Sequence, residues 1–188
     1  YRPAPVADAI VDDAARALSK AGESIVLLGG NALTERGIRA GQAICTHLGA
    51  RLLMEPYPAI VTLGGDLPVV ERQAYFPDDV IAQMGAARVL LAGARMPISY
   101  FGYEGWPSQL VPDERLVRLA EPGEDAVAAL EALAARLKTA PAAPRATETP
   151  AGSGQPEAAL TPASVVEELL VQLPQDAIIA LEGSTLGG

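Results

Sequence analysis

Four short aliphatic runs, SIVLL, RLLM, RVLLA and LVRL, recur through the first 120 residues, at Ser24–Leu28, Arg51–Met54, Arg88–Ala92 and 116–119. Each is too short for a helix, rich in branched or aliphatic side chains, and bounded by Gly, Pro or charged residues, which predicts a strand buried on both faces. Between and around them lie stretches of helical period. Residues 6–21 place Ile10, Ala14, Ala17 and Leu18 on one stripe, with Asp8, Asp12 and Asp13 near the helix N-terminus and Gly22 beyond its end. Residues 34–48, with Thr34 as cap and Gly49 as stop, Pro77–Met84, and residues 124–137 complete the set. Such alternation predicts an α/β fold: an open, Rossmann-like parallel sheet of about six strands with helices on both faces and right-handed crossovers.

Two stretches interrupt the rhythm. Residues 59–73 carry Gly64-Gly65 and Pro68 and read as a long loop; residues 93–112 are a second, holding Tyr100, Phe101, Tyr103 and Trp106. Aromatic side chains gathered on one loop either stack a ring or bury an interface, and the interface reading is preferred. After Lys138 the composition turns to Pro, Ala, Thr and Gly, so residues 140–159 are read as an extended linker between a first domain, 1–139, and a second segment, 160–188. In that segment Thr161-Pro162 opens a helix and residues 176–181 read as a strand. The chain starts at Tyr1 without methionine and stops just after that strand, so the expectation is an excised piece of a longer polypeptide.

Charge and composition narrow the chemistry. Fourteen basic against 23 acidic side chains leave a net charge of −9, which opposes binding to a phosphate backbone, so no nucleic-acid partner is expected. No apolar run approaches the roughly 20 residues of a membrane span. A single cysteine, Cys45, and a single histidine, His47, rule out a multi-cysteine or His-rich metal centre and suit a reducing, cytoplasmic location. They stand two apart on one helix, face different directions, and are read as packing or surface residues. Glu71-Arg72 and Glu104 read as solvated loop charges.

The candidate site begins at Gly29-Gly30-Asn31, where the first strand meets the following helix. Backbone amides and a helix dipole there suit a phosphate, yet the stretch lacks both GxGxxG and a Walker pattern. The alternative, a turn that serves packing, is preferred. Gly93-Ala94-Arg95 follows the third strand in the same way, and Arg95 is read either as a partner for a pyrophosphate or carboxylate or as a loop anchor.

At LLGGNAL, AYFPDDVIAQM, VLLAGARMPISYFGYEGWPSQLVP and PGEDAVAALEALA the chain resembles the central domain of thiamine-diphosphate-dependent enzymes, in the acetolactate-synthase-like and benzoylformate-decarboxylase-like branch. The tail LTPASVVEELLVQLPQDAIIALEGST resembles the start of the cofactor-binding domain that follows in that family. The resemblance implies a non-catalytic structural domain of a 2-oxo acid decarboxylase or acetolactate synthase, inactive alone. The first domain and most of the third, which carry the cofactor-activating glutamate and the magnesium and diphosphate segment, would be its partners within its own polypeptide, and the intact enzyme would be a homo-oligomer. Thiamine diphosphate and magnesium then belong to the intact enzyme, with no cofactor in this piece.

In flavin-containing members Gly29, Gly30 and Asn31 would match the FAD turn and Arg95 part of a second FAD segment. Met96-Pro97-Ile98 replaces that segment's Phe-Asp-Asp continuation, so flavin is not expected. Glu182, Ser184 and Thr185 resemble a diphosphate-side stretch that would act only in the intact enzyme. The runner-up function is an autonomous FAD- or ADP-binding module using Gly29, Gly30, Asn31 and Arg95.

Overall fold

The computed structural model describes residues 2–144, 161–174 and 176–180, which belong to two units divided after Arg145. In the first unit the expected strands form: β1 (Ser24–Leu28), β2 (Arg51–Met54), β4 (Arg88–Ala92) and β5 (Leu116–Ala120). A two-residue β3 (Glu71–Arg72) joins them, so part of the stretch read as loop is an edge strand. Its sequence carries no aliphatic run because an edge strand of two exposed residues needs none. Its hold is partly polar: Arg51 donates to both carboxylate oxygens of Glu71 (2.7 and 2.8 Å), and Gln83 Nε2 donates to Glu71 Oε1 at 2.8 Å. Both contacts hold the Glu71 carboxyl below its ordinary range, the Arg51 bond most. The sheet therefore has five strands among the described residues, all parallel, in the order β3-β2-β1-β4-β5.

Side chains alternate across the sheet as the period of two requires. Val26, Leu28, Leu52, Met54, Leu90 and Ala92 face one apolar layer; Ile25, Leu27, Leu53, Val89 and Leu91 face the other. The first layer is roofed by α1 (Asp8–Ser19), α2 (Glu35–Leu48) and α4 (Ala126–Leu137). The second is covered by α3 (Pro77–Met84), through Val80 and Met84, together with Leu110 and Val111. Helices thus lie on both faces, but unevenly, because the connection from β4 to β5 is a long irregular segment instead of a helix.

Helix ends depart from the sequence reading by local hydrogen bonding. Thr34 occupies the cap position of α2, yet its hydroxyl donates to the Asn31 carbonyl (3.1 Å) and caps no helical amide. The helix expected from residue 124 begins at Ala126, capped by Asp125, which accepts from Ala128 N at 3.0 Å. Asp8 and Asp12, expected only to complement the α1 dipole, also reach Arg136 of α4 and tie the two helices. No helix among the described residues is long and apolar enough to cross a membrane.

In the second unit α5 (Pro162–Gln172) starts as expected: Thr161 Oγ1 accepts from Ser164 N at 3.1 Å, and Ser164 Oγ accepts from Thr161 N at 2.9 Å. The strand expected at 176–181 does not form over 176–180. Ile178 there is 98% exposed, and the described residues of this unit offer it no strand to pair with. Residue 181 lies outside the described residues.

Candidate functional site

Strand order places the site. From β1 the chain steps outward to β2 and β3 on one side, then returns to lay β4 and β5 on the other. The C-terminal ends of β1 and β4 therefore flank the topological switch point, where open α/β sheets leave a crevice. Gly29-Gly30-Asn31 leaves β1 there and Gly93-Ala94-Arg95 leaves β4, so the two glycine turns of the sequence become neighbours.

The turns are in close contact. Gly29 N–H donates to Ala92 O at 3.0 Å, and a Cβ built at Gly29 would stand 2.6 Å from Ala94 Cα. Gly93 takes φ +68°, and a Cβ on it would stand 2.6 Å from Gly29 O and 3.2 Å from the Ala126 methyl. Both approaches demand glycine, the second for its backbone conformation as well.

Most donors at this turn already have acceptors. Gly30 N–H donates to Glu55 Oε1 at 2.9 Å, and Ala32 N–H donates to Gly29 O at 3.1 Å. The Asn31 amide is spent on α4: Nδ2 donates to Glu124 O at 2.7 Å and Oδ1 accepts from Ala126 N at 3.2 Å. A flavin or ADP diphosphate does not fit this donor set, because the Gly30 amide it would claim faces a half-buried carboxylate of the same charge.

Glu55, the residue directly after β2, is not among the candidates that the sequence offers. Its backbone N–H donates to Leu28 O at 2.9 Å, which fixes it against β1. An acidic residue directly after the second strand, some 25 positions beyond a glycine turn, was the available signal.

Arg95 is exposed and forms no hydrogen bond or ion pair among the described residues. Its charge is felt by Tyr100, whose hydroxyl is pushed above its ordinary value by burial first and by the Glu55 carboxylate and Tyr57 next, with Arg95 opposing. Glu55, Tyr57, Arg95 and Tyr100 thus share one corner of the crevice.

The aromatics of the 93–112 loop do not stand alone. Tyr100 stacks on Tyr75 (centroids 5.7 Å apart, planes at 14°) and meets Tyr57 edge-on at 5.6 Å; Phe76 meets Tyr103 at 6.3 Å. Three connections, after β2, β3 and β4, supply this cluster, and Trp106 makes no ring pair among the described residues. In residues 2–144, nine of the eleven exposed large apolar side chains sit on these three connections, among them Tyr57, Ile60, Phe76, Phe101 and Trp106.

Cys45 and His47 part company as their spacing predicts: the thiol is buried and the imidazole exposed. Burial pushes the Cys45 thiol up to about 12, so it carries no thiolate chemistry at neutral pH. Glu182, Ser184 and Thr185 lie outside the described residues.

The chain is 38% identical, over 98% of its length, to a protein of Mycobacterium tuberculosis H37Rv named "Putative acetolactate synthase large subunit IlvX". It spans 36% of that relative's length. No family model and no solved structure matches the chain.

Proposed function

We propose that residues 2–144 are the central, Rossmann-like domain of a thiamine-diphosphate-dependent enzyme of the acetolactate-synthase-like family, and that the segment from about residue 160 opens the cofactor-binding domain that follows. The observation that carries this reading is the 38% identity to the M. tuberculosis protein, which covers 98% of the chain and so takes in both the five-stranded unit and the segment after it. In the intact enzyme thiamine diphosphate, held with magnesium by other domains, supplies the carbanion chemistry on a 2-oxo acid, and the present chain supplies scaffold and assembly surfaces. The aromatic face after β2, β3 and β4 is the surface that meets another domain of the same polypeptide, since it concentrates apolar exposure at one edge of the sheet.

The test is the gene on either side of this segment. A pyrimidine-binding domain upstream and the remainder of a diphosphate-binding domain downstream are expected; a stop codon directly after Gly188 would overturn the reading.

The alternative is an autonomous nucleotide-binding module, and the occupied Gly30 amide speaks against it. Neither FAD nor ADP is therefore expected to raise the melting temperature. A ligand at 100 times its dissociation constant adds about 2.7 kcal/mol, an easily measured shift. A saturable rise with either nucleotide would restore the module.

A further inference from the structure

We infer that the first unit carries an anion-binding site at the N-terminal ends of β1, β4 and β5, at the opposite end of the strands from the glycine turns, suited to a small phosphorylated molecule with at least two negative charges. A cavity of about 370 Å³ opens there, where α1 leads into β1 and the residues before β4 and β5 converge. Lys20, Arg88 and Arg115 line it, with Glu23 as its acidic member. Its volume lies at the small end of the range for ligand pockets.

What distinguishes this cavity is the state of its cations. The chain holds nine more acidic than basic side chains, and it uses them: Arg16, Arg36, Arg39, Arg51, Arg118 and Arg136 all form ion pairs. Lys20, Arg88 and Arg115 form none among the described residues, although Glu23 borders the same cavity. Three cations that share one concavity with a single carboxylate, and form no ion pair with it, repel one another unless an anion joins them.

Helix dipoles explain only part of the set. Lys20 follows the last turn of α1, and Arg115 donates to Ala87 O (2.9 Å) and Met84 O (3.4 Å) at the end of α3, both favourable places for a cation. Arg88 has no such reason: it opens β4, is half-buried, and its side chain makes no hydrogen bond among the described residues. Its backbone is pinned, N–H donating to Glu23 O at 3.0 Å, so the side chain starts from a fixed point on the cavity wall. The two carbonyls likewise orient Arg115, and its remaining N–H groups are free to meet phosphoryl oxygens in the forked geometry that arginine offers. The site is independent of the enzyme to which the domain belongs.

The probe is inorganic pyrophosphate, titrated calorimetrically into the full chain at constant ionic strength. Saturable binding is expected, with Arg88→Gln weakening it roughly tenfold and Lys20→Gln/Arg88→Gln abolishing it, as loss of charge-assisted bonds requires. Arg95→Ala, beyond the C-terminal end of β4, is expected to leave the affinity unchanged. Circular dichroism confirms that each variant is folded, and Lys20→Gln alone, on an exposed side chain, supplies a second reading if Arg88→Gln unfolds. No binding by the native chain, equal binding by the charge-deleted variants, or loss of binding in Arg95→Ala overturns the assignment.

Discussion

Gly93→Ala is expected to destabilise the first unit by about 3 kcal/mol, the sum of a forced overpacking and a strained left-handed backbone. The added methyl would sit 2.6 Å from the Gly29 carbonyl oxygen and 3.2 Å from the Ala126 methyl, at a φ of +68° that alanine adopts only with strain. Neither neighbour can retreat, because Gly29 continues β1 and Ala126 begins α4. The measurement is a thermal or urea melt followed by circular dichroism, where a loss of this size lowers the midpoint by roughly 10 °C. Gly22→Ala is the control: its Cβ meets nothing within 4 Å, and its backbone lies outside the left-handed region. That variant is expected within about 0.5 kcal/mol of the parent. A Gly93→Ala midpoint indistinguishable from the control would mean that the two turns do not touch as described.

Asn31→Ala comes second, with an expected loss of about 2 kcal/mol or more. One side-chain amide both donates to Glu124 O (2.7 Å) and accepts from Ala126 N (3.2 Å), stitching the turn after β1 to the start of α4 across 95 residues of sequence. Removing it deletes two part-buried hydrogen bonds at once and leaves the Glu124 carbonyl and the Ala126 N–H only each other, at 3.0 Å, so the loss is that of two bonds at about 1 kcal/mol each. Asn31→Asp separates geometry from volume: it keeps the acceptor for Ala126 N but turns a carboxylate oxygen toward Glu124 O. It is expected to fall well below the parent, near or under the alanine variant. Stability of both variants equal to that of the parent would show that the stitch is dispensable.

These two positions show how differently the sequence exposes its information. Gly93 and Asn31 were both singled out as members of glycine turns, because strand, glycine and helix is a local pattern with a local cause. Their roles were not legible. That Asn31 serves α4, and that Gly93 faces Gly29, depends on which strands become neighbours, and strand adjacency is a long-range property. Glu55 makes the same point from the other direction. It reads as a strand terminator, yet the β1–β2 pairing that bonds its N–H to Leu28 O also sets its carboxylate on the Gly30 amide. The strand Glu71–Arg72 was hidden for a further reason: two exposed polar residues on an edge carry no apolar period, and polar contacts to Arg51 and Gln83 help hold them. The aromatic loop was visible in composition, whereas its union with Tyr57, Tyr75 and Phe76 was not.

By itself the sequence determined the α/β class, the four principal strands, the helices and the parallel arrangement, since short buried aliphatic runs alternating with helical stretches leave few other ways to hide apolar surface. Only the tertiary structure decided what the glycine turns do. Burial at the switch point brings the Gly30 amide and the Asn31 side chain to partners within the chain, and the strand order gathers Lys20, Arg88 and Arg115 around one cavity at the N-terminal ends of the strands. Periodicity reports which side of an element is buried; it is silent on what that side meets.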